Sequence, residues 1–85
     1  MPQLDGKEIL LRFGKNLEAI KKRKNLSYRS IATRCNIDHS DIKKYVDGQI
    51  SPTIITVIEL AKGLGVEPKE LFDLDFGIDF TEENH

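Results

Sequence analysis

"IATRCNIDHSDIKKYVDG", residues 31–48, decides how this chain folds. It reads as two short helices with a break between them. Ser27 lies just upstream, and its hydroxyl can accept a free backbone N–H, so it predicts an N-cap for a helix over Tyr28 to Cys35. Ile31, Ala32 and Cys35 share one face of that helix. Asn36 suits a left-handed position after it. Asp38 then caps a second helix, His39 to Val46 or Asp47, which Gly48 ends. Ala32 supplies a small residue where two helices cross closely. Ile31, Cys35, Ile37, Ile42 and Tyr45 fall where helices at a steep angle share a core. This is a helix-turn-helix pattern over about residues 28–47.

The flanks extend the helical reading. From Gly6 to Lys24, Ile9, Leu10, Phe13, Leu17 and Ile20 recur at helical spacing. Lys21, Lys22, Arg23 and Lys24 close that helix, where cations complement the negative end of its dipole. The basic run reads either as a solvated helix end or as part of a phosphate-facing surface. Thr53 opens a further helix to about Leu64, with Ile54, Val57, Ile58 and Ala61 at i, i+3, i+4 and i+7. Gly65 stops it, and Pro68 starts a short fifth helix that ends near Phe72. In "FDLDFGIDF", residues 72–80, the period changes to two, and that predicts a half-buried strand. The expected architecture is all-α, a five-helix bundle over residues 1–72 with an extended, β-type tail over 73–85.

Eighty-five residues suit one domain. No apolar run approaches the ~20 residues of a membrane span. The stretch MPQLDGKEILL lacks a basic region followed by an apolar one, so no secretory signal is expected. One cysteine, Cys35, permits no internal disulfide and fits a reducing compartment, so the expected location is cytoplasmic. The net charge of −1 is unevenly spread. Residues 1–72 carry 13 Lys and Arg against nine acids, whereas residues 73–85 carry five acids and no Lys or Arg. A mildly basic body with an acidic tail is compatible with a nucleic-acid partner; the total alone would have argued against one.

The stretch "LSYRSIATRCNIDHSDIKKYVDGQISPTIITVIELAKGLGVEPKELF" resembles the Cro and lambda-repressor-like (Xre-type) helix-turn-helix family. The motif is LS-x3-IA, the turn, the DG-x3-P loop, and LAKGLGV before an EL pair. With the first helix it covers roughly residues 7–72. The resemblance implies that the helix 39–46 enters a major groove of double-stranded DNA and that the protein acts as a homodimer. Carried over position by position, it implies base contacts from His39, Ser40 and Lys44. Lys44 can donate to guanine, Ser40 can donate or accept, and His39 can do either depending on its tautomer. It implies phosphate contacts from Ser27, Tyr28, Lys43, Gln49, Ser51 and Thr53. Asp41 reads as a first-turn acid favoured by the helix dipole, or as an acceptor from cytosine.

Three departures stand out. Tyr28 replaces a frequent Gln, and it can reach phosphate or simply pack. Lys21 and Val46 stand where the family often pairs an Arg with a Glu, so no buried charge is left alone. The body is only modestly basic, which implies weak, salt-sensitive non-specific DNA binding.

An exposed alternating strand invites pairing. The expectation for Phe72 to Phe80 is pairing with the same segment of a second chain; folding back on the helices and strand addition to another protein are the alternatives. The expected function is a sequence-specific transcriptional regulator, a repressor working as a homodimer. The alternatives are an antitoxin-type helix-turn-helix protein and a protein-interaction module whose tail grips a partner. Catalysis is not expected, nor is a cofactor or a metal. His39 and Asp41 diverge by about 200° around their helix, and Cys35 and His39 are separated by a turn, so neither pair makes a site.

Overall fold

Each helix starts where a short polar side chain can take an orphan N–H. The computed structural model describes residues 5–81. Asp5 accepts from the Glu8 amide and opens α1, Gly6–Arg23. Ser27 and Ser30 exchange hydrogen bonds in a capping box that opens α2, Tyr28–Ala32. Asp38 opens α3, His39–Val46, and Thr53 opens α4, Ile54–Leu64. A 3₁₀ turn, Pro68–Phe72, follows. Among the described residues, four α-helices and one 3₁₀ turn therefore replace the expected five helices. This segment closes with i→i−3 bonds, Glu70 N–H to Glu67 O at 3.0 Å and Asp73 N–H to Glu70 O at 3.3 Å, the tighter 3₁₀ pattern.

Helix ends follow one scheme with one exception. α1, α3 and α4 each close with a 6→1 hydrogen bond, from Leu26 to Lys21 O, Gln49 to Lys44 O and Val66 to Ala61 O. The left-handed residues at these ends are Asn25 (φ 57°), Gly48 (φ 71°) and Gly65 (φ 74°). α2 has no such closure. It ends at Ala32 rather than Cys35, and Asn36 does not have positive φ. The Asn36 amide instead donates 2.9 Å to the Glu59 carboxylate on α4.

The core unites Phe13, Leu17 and Ile20 of α1, Ile31 of α2, Ile42 of α3, Val57, Leu60, Ala61 and Leu64 of α4, and Leu71. Cys35, Ile37 and Tyr45 pack partly buried around it. Two close approaches belong to glycines. An added Cβ on Gly14 would lie 2.1 Å from Val46 O, and one on Gly63 would lie 2.7 Å from an Ile31 methyl. These glycines let α1 meet the end of α3, and α4 meet α2.

The buried stripe of α4 differs from the expected one. Val57 and Ala61 are buried as predicted, but their partners are Leu60 and Leu64. Ile54 is 81% exposed, Ile55 75% and Ile58 48%. The helix is apolar on more than one side, so its periodicity fits two faces and the packing selects one.

The tail corrects the second structural expectation. No strand forms among the described residues. The Asp75 carboxylate accepts from the Gly77 amide and Asp79 from the Thr81 amide, each two residues on. Gly77 has φ 78°. Asx-type turns of this kind use the N–H groups that a strand ladder would need. Phe76 packs against the core, and the Arg12 guanidinium donates to Asp75 O at 3.0 Å. Phe72 packs 5.3 Å from Phe13, ring to ring, while Phe80 remains 76% exposed.

Candidate nucleic-acid interface

Ile42, 2% exposed, anchors α3 and turns the rest of the helix outward. His39, Ser40, Lys43 and Lys44 are all exposed. The cap tunes the first turn. Asp38 accepts from both the Ser40 hydroxyl and the Ser40 amide. These two bonds hold the Asp38 carboxyl below the usual carboxylate range, the hydroxyl contributing most. The Ser40 proton is thereby engaged, and its oxygen is presented outward as an acceptor. His39 Nδ1 lies 3.9 Å from the same carboxylate.

The two lysines are held differently. Lys43 Nζ donates 2.7 Å to Asp47, one turn along the helix, and that carboxylate raises its pKa. Lys44 Nζ is 3.7 Å from Asp41, at the edge of an ion pair and easily redirected. The exposed side of α3 thus carries its own acids, and Asp41 and Asp47 stand beside its two lysines.

Tyr28 is anchored to α1. Its hydroxyl donates to Glu18 at 3.2 Å, and Lys21 Nζ stands 4.8 Å from its ring centre. Burial, and then Glu18, push the phenol pKa up. As placed, its donor is committed to a carboxylate and its ring packs on the core edge. Lys21 lines a small apolar cavity of about 10 Å³ together with Val46, Ile31 and Ile42. Its ammonium reaches out of that apolar slot to Glu18 at 3.7 Å.

The remaining phosphate candidates lie at two helix starts and in the loop between α3 and α4. The Ser27 hydroxyl is used by the α2 capping box and Thr53 Oγ1 by the Thr56 amide at 3.1 Å. Gln49 and Ser51 are exposed in the loop between α3 and α4. The geometry therefore brings His39, Ser40, Lys43 and Lys44 together on one helix, with Ser27 and Tyr28 at the start of α2. Sequence reasoning did not find Glu18, Asp47 or Glu59. The spacings from Glu18 to Lys21 and Lys22 and from Lys43 to Asp47 were readable as helical ion pairs. Glu59 and Asn36 are 23 residues apart, and no local pattern joins them.

No group of three or more His, Cys, Asp or Glu among the described residues is placed to hold a metal. No described helix is long and apolar enough to cross a membrane. A family model described as helix-turn-helix matches residues 17–71. No curated protein matches the chain. Among solved structures, the restriction-modification controller protein C.AhdI from Aeromonas hydrophila is similar. It is 32% identical, with a TM-score of 0.70, and the match covers 74% of this chain and 96% of that one.

Proposed function

The chain belongs to the Cro/C1-type helix-turn-helix family, whose members are DNA-binding transcription regulators and not enzymes, and from that premise we propose a sequence-specific repressor that reads the major groove as a homodimer. The observation that carries the reading is α3 itself. A buried Ile42 fixes the helix, and His39, Ser40 and Lys44 are exposed on it together. Lys44 donates to guanine and the Ser40 oxygen accepts from an exocyclic amine; His39 supplies a donor or acceptor by tautomer. Gln49, Ser51 and the backbone amides at the α2 and α4 starts hold phosphates, with Lys43 shared between phosphate and Asp47. Likeness to a restriction-modification controller supports a restriction-modification locus as the first place to look for target sites.

The homodimer forms on α4 rather than by strand pairing of the tail. Ile50, Ile54, Ile55 and Ile58 expose a patch of branched apolar side chains at the start of α4 and the loop before it. A second copy covers this patch and repeats α3 on a neighbouring turn of DNA. The working compartment is the cytoplasm, where DNA and a reduced Cys35 belong together.

A second reading keeps the fold and gives the tail a protein partner, as in an antitoxin or interaction module. The exposed Ile78 and Phe80 among acidic residues favour it.

Enrichment of sheared genomic DNA by the full-length protein, at low and near-physiological salt, tests the proposal. A palindrome with half-sites one helical turn apart supports it. A single half-site removes the dimer. No enrichment at either salt removes DNA binding and turns attention to the tail.

A further inference from the structure

The α2–α3 turn fixes the angle at which the reading helix leaves its partner, and this turn is closed from outside. α1, α3 and α4 end with a 6→1 backbone bond around a left-handed residue. The end of α2 has none. Its chain continues through the 3₁₀-type bonds Arg34 to Ile31 O at 3.0 Å and Cys35 to Ala32 O at 3.5 Å, the latter long. The next amide, that of Asn36, leaves the turn altogether and donates 2.9 Å to Glu59 Oε1. We propose that Glu59 is a positioning residue for DNA reading: its carboxylate serves as the missing C-cap of α2 and sets the orientation of α3.

Several observations support this. Hydrogen bonds to a charged acceptor are the shorter and stronger class, and at 2.9 Å this contact is much shorter than the 3.5 Å bond that precedes it. Glu59 is itself restrained by Lys62 Nζ at 3.4 Å on the same helix, and its side chain is only 19% exposed. Its pKa is lowered, first by the Asn36 amide and then by Lys62, with burial opposing. Gly63, one turn on, carries the close α2 contact with Ile31, so the carboxylate acts beside a fixed crossing point. Glu59 also directly follows Ile58 of the proposed dimer patch. One helix thus carries both the patch and the clamp, and that ties the spacing of two reading helices to the setting of each.

The inference rests on the DNA-binding reading, and the test separates the two. The full-length protein, Glu59→Ala and Glu59→Gln are titrated against a duplex enriched from genomic DNA and against a scrambled duplex of equal length and composition. In parallel, the Asn36 amide is followed by NMR without DNA. Glu59→Ala is expected to lose about tenfold in affinity for the enriched duplex and less than about twofold for the scrambled one, following from the loss of one charged hydrogen bond. Glu59→Gln keeps an acceptor oxygen and is expected to recover most of the loss. The Asn36 amide proton is expected to move upfield in Glu59→Ala and to remain closer to its original position in Glu59→Gln. Equal weakening on both duplexes, or no change on either, overturns the positioning role. An unmoved Asn36 amide in Glu59→Ala overturns the clamp itself. Absence of an enriched duplex for the unmodified protein overturns the DNA reading instead, and the amide shift then still decides whether the clamp exists.

Discussion

Gly14 lies under the C-terminal end of α3, where an added methyl would meet Val46 O at 2.1 Å and Tyr45 O at 2.9 Å. In an exposed helix interior, Gly→Ala stabilises by up to about 1 kcal/mol. Here the obstacle is backbone, which cannot rotate away. Gly14→Ala is therefore expected to destabilise by about 1–3 kcal/mol, read as a lower urea midpoint with an unchanged slope. The two neighbouring lysines of α3 should also behave differently. Lys44 is only loosely held by Asp41, whereas Lys43 is bonded to Asp47 at 2.7 Å. Lys44→Ala is expected to cost about 1–3 kcal/mol on the enriched duplex and to relax base preference at one position. Lys43→Ala is expected to weaken all duplexes alike and to lower the salt slope by at most about one. Filter binding against a panel of single-base variants at several salt concentrations distinguishes the two.

At the scale of elements, α4 has apolar residues on two faces, one buried and one exposed. Val57, Leu60, Ala61 and Leu64 are buried, and Ile54, Ile55 and Ile58 are left outside. Three branched apolar side chains on one exposed helix start are costly to leave in water, at roughly 25 cal/mol per Å². In the proposed homodimer a second copy covers them, which relieves that cost and duplicates α3. Ile55→Asp combined with Ile58→Ser is expected to leave helix content intact, since exposed substitutions change monomer stability little. Sedimentation is expected to show a monomer, and DNA binding to fall to single half-sites. A double variant that still sediments as a dimer moves the interface elsewhere, with the tail as the next candidate.

For the molecule as a whole, the 3₁₀ turn divides what the fold requires from what it carries. Leu71 is fully buried, and the Asn16 amide donates to both Glu70 O and Leu71 O at 2.9 and 3.0 Å. Beyond it the tail is held by Phe76 and by Arg12, whose guanidinium reaches Asp75 O. Leu71→Ala is expected to cost about 2–5 kcal/mol, as for other fully buried leucines. A chain ending after Phe76 is expected to unfold with nearly the same urea midpoint as the full chain and to remain dimeric. That truncation also removes the acidic Asp79, Glu82 and Glu83. It is therefore expected to bind DNA somewhat more tightly at low salt, through reduced long-range repulsion.

The features that the sequence determined by itself are those made by groups within about one helical turn. Ser27, Asp38 and Thr53 were legible as caps because the amides they take lie two or three residues ahead. Gly48 and Gly65 were legible as stops because their positive φ is a local property. His39, Ser40 and Lys44 were named through the family resemblance, and all three lie exposed on the helix that buries Ile42. The tertiary structure alone decided what depends on distant partners. The α4 pattern permits either of two stripes, and only the positions of α1, α2 and the 3₁₀ turn select the one through Leu60 and Leu64. The tail alternates like a strand, but a strand needs a partner ladder. Here the aspartates bond their own backbone, and Arg12, 63 residues away, holds Asp75. Asn36 looked like a left-handed cap because Asn tolerates positive φ. It lacks that conformation, and its amide goes to a carboxylate 23 residues away. Local hydrogen bonding and helical period are written in neighbouring residues. Competition among alternative partners is settled only when the whole chain has folded and each group meets the ones it can reach.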